Sequence, residues 1–153
     1  MRAFRSTRRR AGVTLIELML VVALLGIVAA VVTPRIGAGL TSARLDRAAR
    51  VVYGDLQLAP QLAARQRKPV KIIFDVTNRK YTIVDRATPT TIYIARDLGS
   101  ASEFKVSAIS TDVVNNALEF FPNGITSGNM TVTVTTGSRS RTVRITTAGF
   151  VRM

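Results

Sequence analysis

The sequence predicts an α+β protein in which one long N-terminal helix precedes a C-terminal antiparallel β domain. Three observations carry this. Residues 13–33 are an apolar run broken only by Thr14 and Glu17, and an apolar stripe at helical spacing continues through 34–68. Residues 69–153 fall into short runs rich in β-branched side chains, separated by Gly, Pro, Asn and Ser. A chain of 153 residues has room for one core of ordinary size and little more.

Four zones follow in order. Residues 1–12 are polar and basic, with Arg2, Arg5, Arg8, Arg9 and Arg10 and no acidic side chain, and are expected to be a cytoplasmic leader that is removed. Residues 13–33 match the length of a membrane-crossing helix, since about 20 residues at about 1.5 Å each cover a hydrocarbon core of about 30 Å. The leader arginines orient it by the positive-inside rule, with the N-terminus cytoplasmic and the bulk of the chain exported. Pro34, close to Gly37 and Gly39, predicts a kink, because proline removes a helix hydrogen bond.

Residues 34–68 read as the amphipathic second half of the helix. Leu45, Ala49, Val52, Leu56, Ala59 and Ala63 step by four and three and trace one stripe, while Arg44, Arg47, Arg50, Asp55 and Arg65 fall off it toward water. Asp46 is expected to pair with Arg50 one turn on. Pro60 predicts a kink or short break. Strands are expected at 70–75, 81–85, 91–95, 104–109, 118–121, 130–136 and 142–147. The last two flank Gly137, Ser138, Arg139 and Ser140, which predicts an antiparallel hairpin.

Composition narrows the chemistry. Histidine and cysteine are both absent, so the common zinc sites and the usual Ser-His and Cys-His nucleophile pairs are excluded. No enzymatic activity, catalytic residue, metal site or cofactor is expected. The formal charge is +13, from 22 Lys plus Arg against 9 Asp plus Glu. Such a balance points to an anionic partner, either nucleic acid or acidic headgroups, or to a solvated basic surface.

The most informative stretch is Ala11-Gly12-Val13-Thr14-Leu15-Ile16-Glu17-Leu18. Glu17 stands alone in the apolar run, and an acidic side chain there costs about 2.5–3.5 kcal/mol, so it needs a partner or a task. The basic leader, Gly12, the Thr-Leu-Ile-Glu string and the long apolar run together resemble the class III signal of type IV pilins and type II secretion pseudopilins. That resemblance implies a type IV pilin-like fold. It also implies that a prepilin peptidase cuts between Gly12 and Val13 and N-methylates Val13. By the same resemblance Glu17 is the assembly carboxylate, facing the new ammonium of a neighbouring subunit. In a low-dielectric core that pair would select one register of stacking. Gly26 and Pro34 fall where many pilins carry a helix glycine and a proline; Val13 departs from the more frequent Phe or Met. An ordinary secretory signal, cut beyond its apolar run, accounts for neither Gly12 nor the early Glu17, and nor does a plain signal anchor.

Residues 58–72, a basic small-residue stretch leading into Pro69-Val70, are similar to the GspH/FimT group of minor pseudopilins and minor pilins, although Pro60 departs from that group's pattern. Residues 141–153, two short strands around Ala148 and Gly149, are similar to its ending. The resemblance implies a minor pseudopilin of a type II secretion system, a structural subunit in or near the tip of a periplasmic pseudopilus. Its implied partners are the prepilin peptidase, other pilins or pseudopilins, the inner-membrane assembly platform and membrane lipid. Its implied place is the inner membrane, single pass, with the C-terminal domain periplasmic. After Glu103 only Asp112 and Glu119 remain as carboxylates, too few for the calcium loop of major pseudopilins.

The alternative is a FimT-like type IV minor pilin that binds DNA during natural transformation. Its candidate contacts are Arg139, Arg141, Arg144 and Arg152, with Arg139 in the turn, Arg141 at the strand edge and Arg144 facing out. Phosphate contacts of that kind are blind to sequence and sensitive to salt. Against it, Phe150 follows Gly149 where the FimT-like ending has arginine.

Overall fold

The computed structural model describes residues 12–153; within them the side chains of 31–38 are not described. The leader up to residue 11 and the side chain of Pro34, the expected kink, therefore lie outside the described residues. The chain divides into two compact units, before and after the boundary between Ala38 and Gly39.

One helix, α1 (Leu15–Gln66), supplies most of the first unit and the start of the second. In the first unit its apolar side chains are exposed: Leu15, Ile16, Leu18, Met19, Leu20, Leu25 and Ile27 each keep more than half of their surface. The expected membrane-crossing run, 13–33, extends into the residues whose side chains are not described. Among the described residues no helix is long and apolar enough to cross a membrane.

The second unit carries its own core. Every buried hydrophobic residue among those described lies between Leu45 and Ile145. The predicted stripe is buried throughout, with Leu45, Ala49, Val52, Leu56, Ala59 and Ala63 joined by Ala48. α1 runs through Pro60 without the expected break. Leu56, Ala59 and Ala63 around it are fully buried, and their packing offsets a proline penalty of about 3 kcal/mol. The helix stops in a Schellman arrangement, with Lys68 N–H donating to the Ala63 carbonyl, Arg67 N–H to that of Ala64, and Arg67 at φ 52°. Pro69 follows and cannot extend it.

Eight strands form two antiparallel sheets. β1 (Val70–Asp75), β2 (Lys80–Asp85), β3 (Ile92–Asp97) and β5 (Ala117–Phe120) lie in the order β3-β2-β1-β5. β4 (Ala108–Thr111), β6 (Met130–Thr136), β7 (Arg139–Ile145) and β8 (Val151–Arg152) lie in the order β4-β6-β7-β8. The strand expected at 104–109 begins only at Ala108. Phe104 and Val106 are buried in alternation, yet Lys105 sits at φ 52° and Val106 N–H bonds the Leu98 carbonyl, so this segment packs as a loop. The final hairpin is tighter than expected. Thr136 pairs with Arg139, leaving only Gly137 and Ser138 in the turn, and Gly137 supplies the positive φ (62°).

Polar contacts tie α1 to each sheet. Asp55, expected to face water, is buried and accepts a hydrogen bond from the Tyr81 hydroxyl (2.7 Å) on β2. It also accepts two from the Arg96 guanidinium (2.8 and 3.2 Å) on β3. Burial, and then the Asp55 carboxylate, push the Tyr81 phenol well above its ordinary range, while hydrogen bonding to Asp55 raises Arg96. Asp46 pairs with Arg141 of β7 (2.7 Å) in place of the expected Arg50.

Two outcomes follow for the domain 39–153. Asp55→Ala is expected to cost about 2–3 kcal/mol in urea unfolding, less than a fully buried pair because Arg96 keeps water contact. Acid should also destabilise it. A hydrogen bond from the Asn78 side chain holds Asp75 below the ordinary carboxylate range; backbone N–H groups, of Thr88 for Asp85 and of Gly99 for Asp97, hold those two low. A depressed folded-state value stabilises above the unfolded value, so stability should hold above about pH 4 and fall below it, read by circular dichroism at stepped pH.

Candidate functional site

The first candidate is the head of α1. Gly12 and Val13 precede the helix and are exposed. Thr14 is its cap: its hydroxyl accepts the Glu17 backbone N–H (3.3 Å) and its carbonyl accepts that of Leu18 (3.2 Å). Thr-x-x-Glu is the residue pattern of a capping box, and Glu17 also lies in the first turn, where the helix dipole favours an acidic side chain. Glu17 therefore helps start the helix whether or not it also serves in assembly. The spacing of Thr14 and Glu17 would have revealed this cap in the sequence. Beyond it stands an exposed apolar surface far larger than a soluble monomer ordinarily keeps.

The second candidate is the face of the β4-β6-β7-β8 sheet opposite the helix. In β7, Val143 and Ile145 are buried, so Arg144 and Thr142 point to the other side. Arg144 pairs directly with Arg152 of β8 on one flank and with Thr131 of β6 on the other. The next row is Ser110, Thr133 and Thr142. Two shallow grooves mark this face. One of about 320 Å³ is lined by Thr142, Arg144, Arg152 and Met153. The other, of about 340 Å³, is lined by Ser110, Thr111, Asp112, Thr131, Thr133 and Arg144. Asp112 closes the far end, accepting the Thr131 N–H (2.6 Å).

The four arginines singled out in the sequence are thus divided. Arg144 and Arg152 are neighbours on the outer face. Arg141 shares the inward parity of Val143 and is bonded to Asp46, and Arg139 opens β7 at the turn with that same parity. Neither sits where expected, at a strand edge or within the turn. The buried Asp55 centre was missed as well. Ala48, Val52, Asp55 and Ala59 also step by four, three and four, and that spacing was the available signal.

Residues 48–149 match the family described as Type II transport protein GspH, and residues 7–33 match the prokaryotic N-terminal methylation motif. Among curated proteins none matches the sequence. Among solved structures, the fold is similar to the type IV minor pilin FimU of Pseudomonas aeruginosa (TM-score 0.60, 18% identity), over 73% of this chain and 89% of that one. It is also similar to the minor pseudopilin EpsH from the Type 2 Secretion System of Vibrio cholerae (TM-score 0.54, 13% identity), over 71% and 94% respectively. At these identities the likeness establishes the fold, a long helix on antiparallel sheets. With the methylation motif at its head and the family match over two thirds of its length, the chain belongs to the GspH family of pilin-like subunits.

Proposed function

We propose that the chain is a minor pseudopilin of a type II secretion system, acting by incorporation into a periplasmic pseudopilus and with no turnover of its own. The observation that carries this reading is the exposed apolar helix, capped by Thr14 and headed by Gly12-Val13, on a chain whose second unit is a pilin-type domain. So large an apolar surface requires a lipid or protein environment. In this reading the prepilin peptidase cuts after Gly12 and methylates Val13. The helix 13–33 resides in the inner membrane, bending at Pro34, with the β domain periplasmic, until the assembly platform moves it into the filament. Glu17 then meets the Val13 ammonium of the adjacent subunit.

The family's description, Type II transport protein GspH, agrees with a role in secretion, while the fold is shared with a type IV minor pilin and a secretion pseudopilin alike. The DNA-contacting alternative has weaker support, since Arg141 is held by Asp46 and does not share the face of Arg144 and Arg152.

Two measurements test the proposal. Deleting the gene in its own host should abolish release of folded exoproteins and leave DNA uptake intact; the converse pattern would place the chain in a type IV pilus. Glu17→Val should be processed normally yet be largely lost from sheared filaments; wild-type incorporation would remove Glu17 from assembly.

A further inference from the structure

The domain 39–153 carries 16 basic and 8 acidic side chains. All eight acidic ones are engaged within the chain. Asp46, Asp55, Asp97, Glu103 and Glu119 form ion pairs with Arg141, Arg96, Lys80, Arg47 and Arg86. Asp75, Asp85 and Asp112 accept hydrogen bonds from the backbone N–H groups of Asn78, of Ala87 and Thr88, and of Thr131. The charge left over for partners is positive. A second copy offers no carboxylate in 39–153 that lacks an internal partner, and its net positive charge opposes self-association.

The outer face of the β4-β6-β7-β8 sheet concentrates this surplus. Arg144 and Arg152 are directly opposed across β7 and β8, an arrangement that destabilises a sheet unless an anion lies between the two guanidinium groups. Neither lies within ion-pair distance of a described carboxylate, although the charge of Arg144 reaches Asp112 across the neighbouring groove and helps to hold that carboxyl low. Thr142, a hydroxyl-bearing residue, lines the same groove. Guanidinium forks flanked by a hydroxyl suit the planar, bidentate geometry of a carboxylate.

We propose that this face is the docking surface for a different, acidic pilin-type subunit, with Arg144 and Arg152 receiving one carboxylate side chain of that partner. The inference rests on the chain being a filament subunit and not on which filament it joins. The face suits a discrete carboxylate better than a nucleic acid. A duplex presents one charge per about 1.7 Å of axis and rewards a track of cations. Here the track is two arginines long and ends at Asp112, while Arg141 lies on the opposite side. Self-repulsion, together with attraction to an acidic neighbour, also gives the chain a physical reason to be a minor component that does not polymerise with itself.

The test uses the domain 39–153, whose core is complete within itself, and a fluorescent hexaglutamate peptide as the probe at low salt. We expect one peptide bound per domain, with affinity weakened at least about tenfold in the Arg144→Glu/Arg152→Glu variant. Arg65→Glu/Arg67→Glu, which removes the same charge elsewhere, should weaken it far less. The domain alone should sediment as a monomer. Equal loss in both variants would reduce the effect to overall charge and overturn the proposal. So would duplex DNA outcompeting the peptide in an Arg144-dependent way, or self-association abolished by the same two substitutions. None of these outcomes depends on whether the host filament serves secretion.

Discussion

The alanine-rich stripe of α1 is the surface on which both sheets of the β domain are assembled. Ala48, Ala49, Ala59 and Ala63 are fully buried in one core cluster with residues of both sheets, such as Ile72 of β1 and Val132 of β6. Asp46 and Asp55, nine residues apart and hence about 14 Å along the axis, each fix one sheet, through Arg141 and through Tyr81 with Arg96. A helix that carries two sheets at separate points cannot slide or roll without breaking one attachment. That constraint gives the outer sheet face a fixed position on the domain.

The larger part of this fold was legible in the sequence because its signals are periodic. The stripe from Leu45 to Ala63, the strands at Val70–Asp75 and Met130–Thr136, and the final hairpin all follow from spacing and turn residues. Failures occurred where burial and hydrogen bonding part company. Phe104 and Val106 alternate as a strand would, but their backbone bonds to a loop. Asp55 looked solvated because carboxylates usually are, and only the three-dimensional meeting with Arg96, 41 residues away, explains its burial.

The candidate sites divide along the same line. Gly12, Val13 and Glu17 are local in sequence, so their pattern could be read directly, including a Thr14 cap that the chain spells out. The arginine cluster depends on where the turn ends and the strand begins. A two-residue turn in place of a four-residue one brings Arg139 and Arg141 into β7, where strand alternation sets both on the opposite side from Arg144. What looked like one basic patch is one structural ion pair and one exposed arginine pair. The internal engagement of the eight acidic side chains of 39–153 leaves a surplus of positive charge, which the proposed acidic partner would meet.

In the proposed function the helix head meets a neighbouring subunit once the leader has been cut from the chain. Intact-mass measurement of the protein purified from host membranes tests this most directly. The expected mass is that of a chain beginning at N-methylated Val13. A mass that retains residues 1–12, or one that shows the apolar run itself removed, would contradict it.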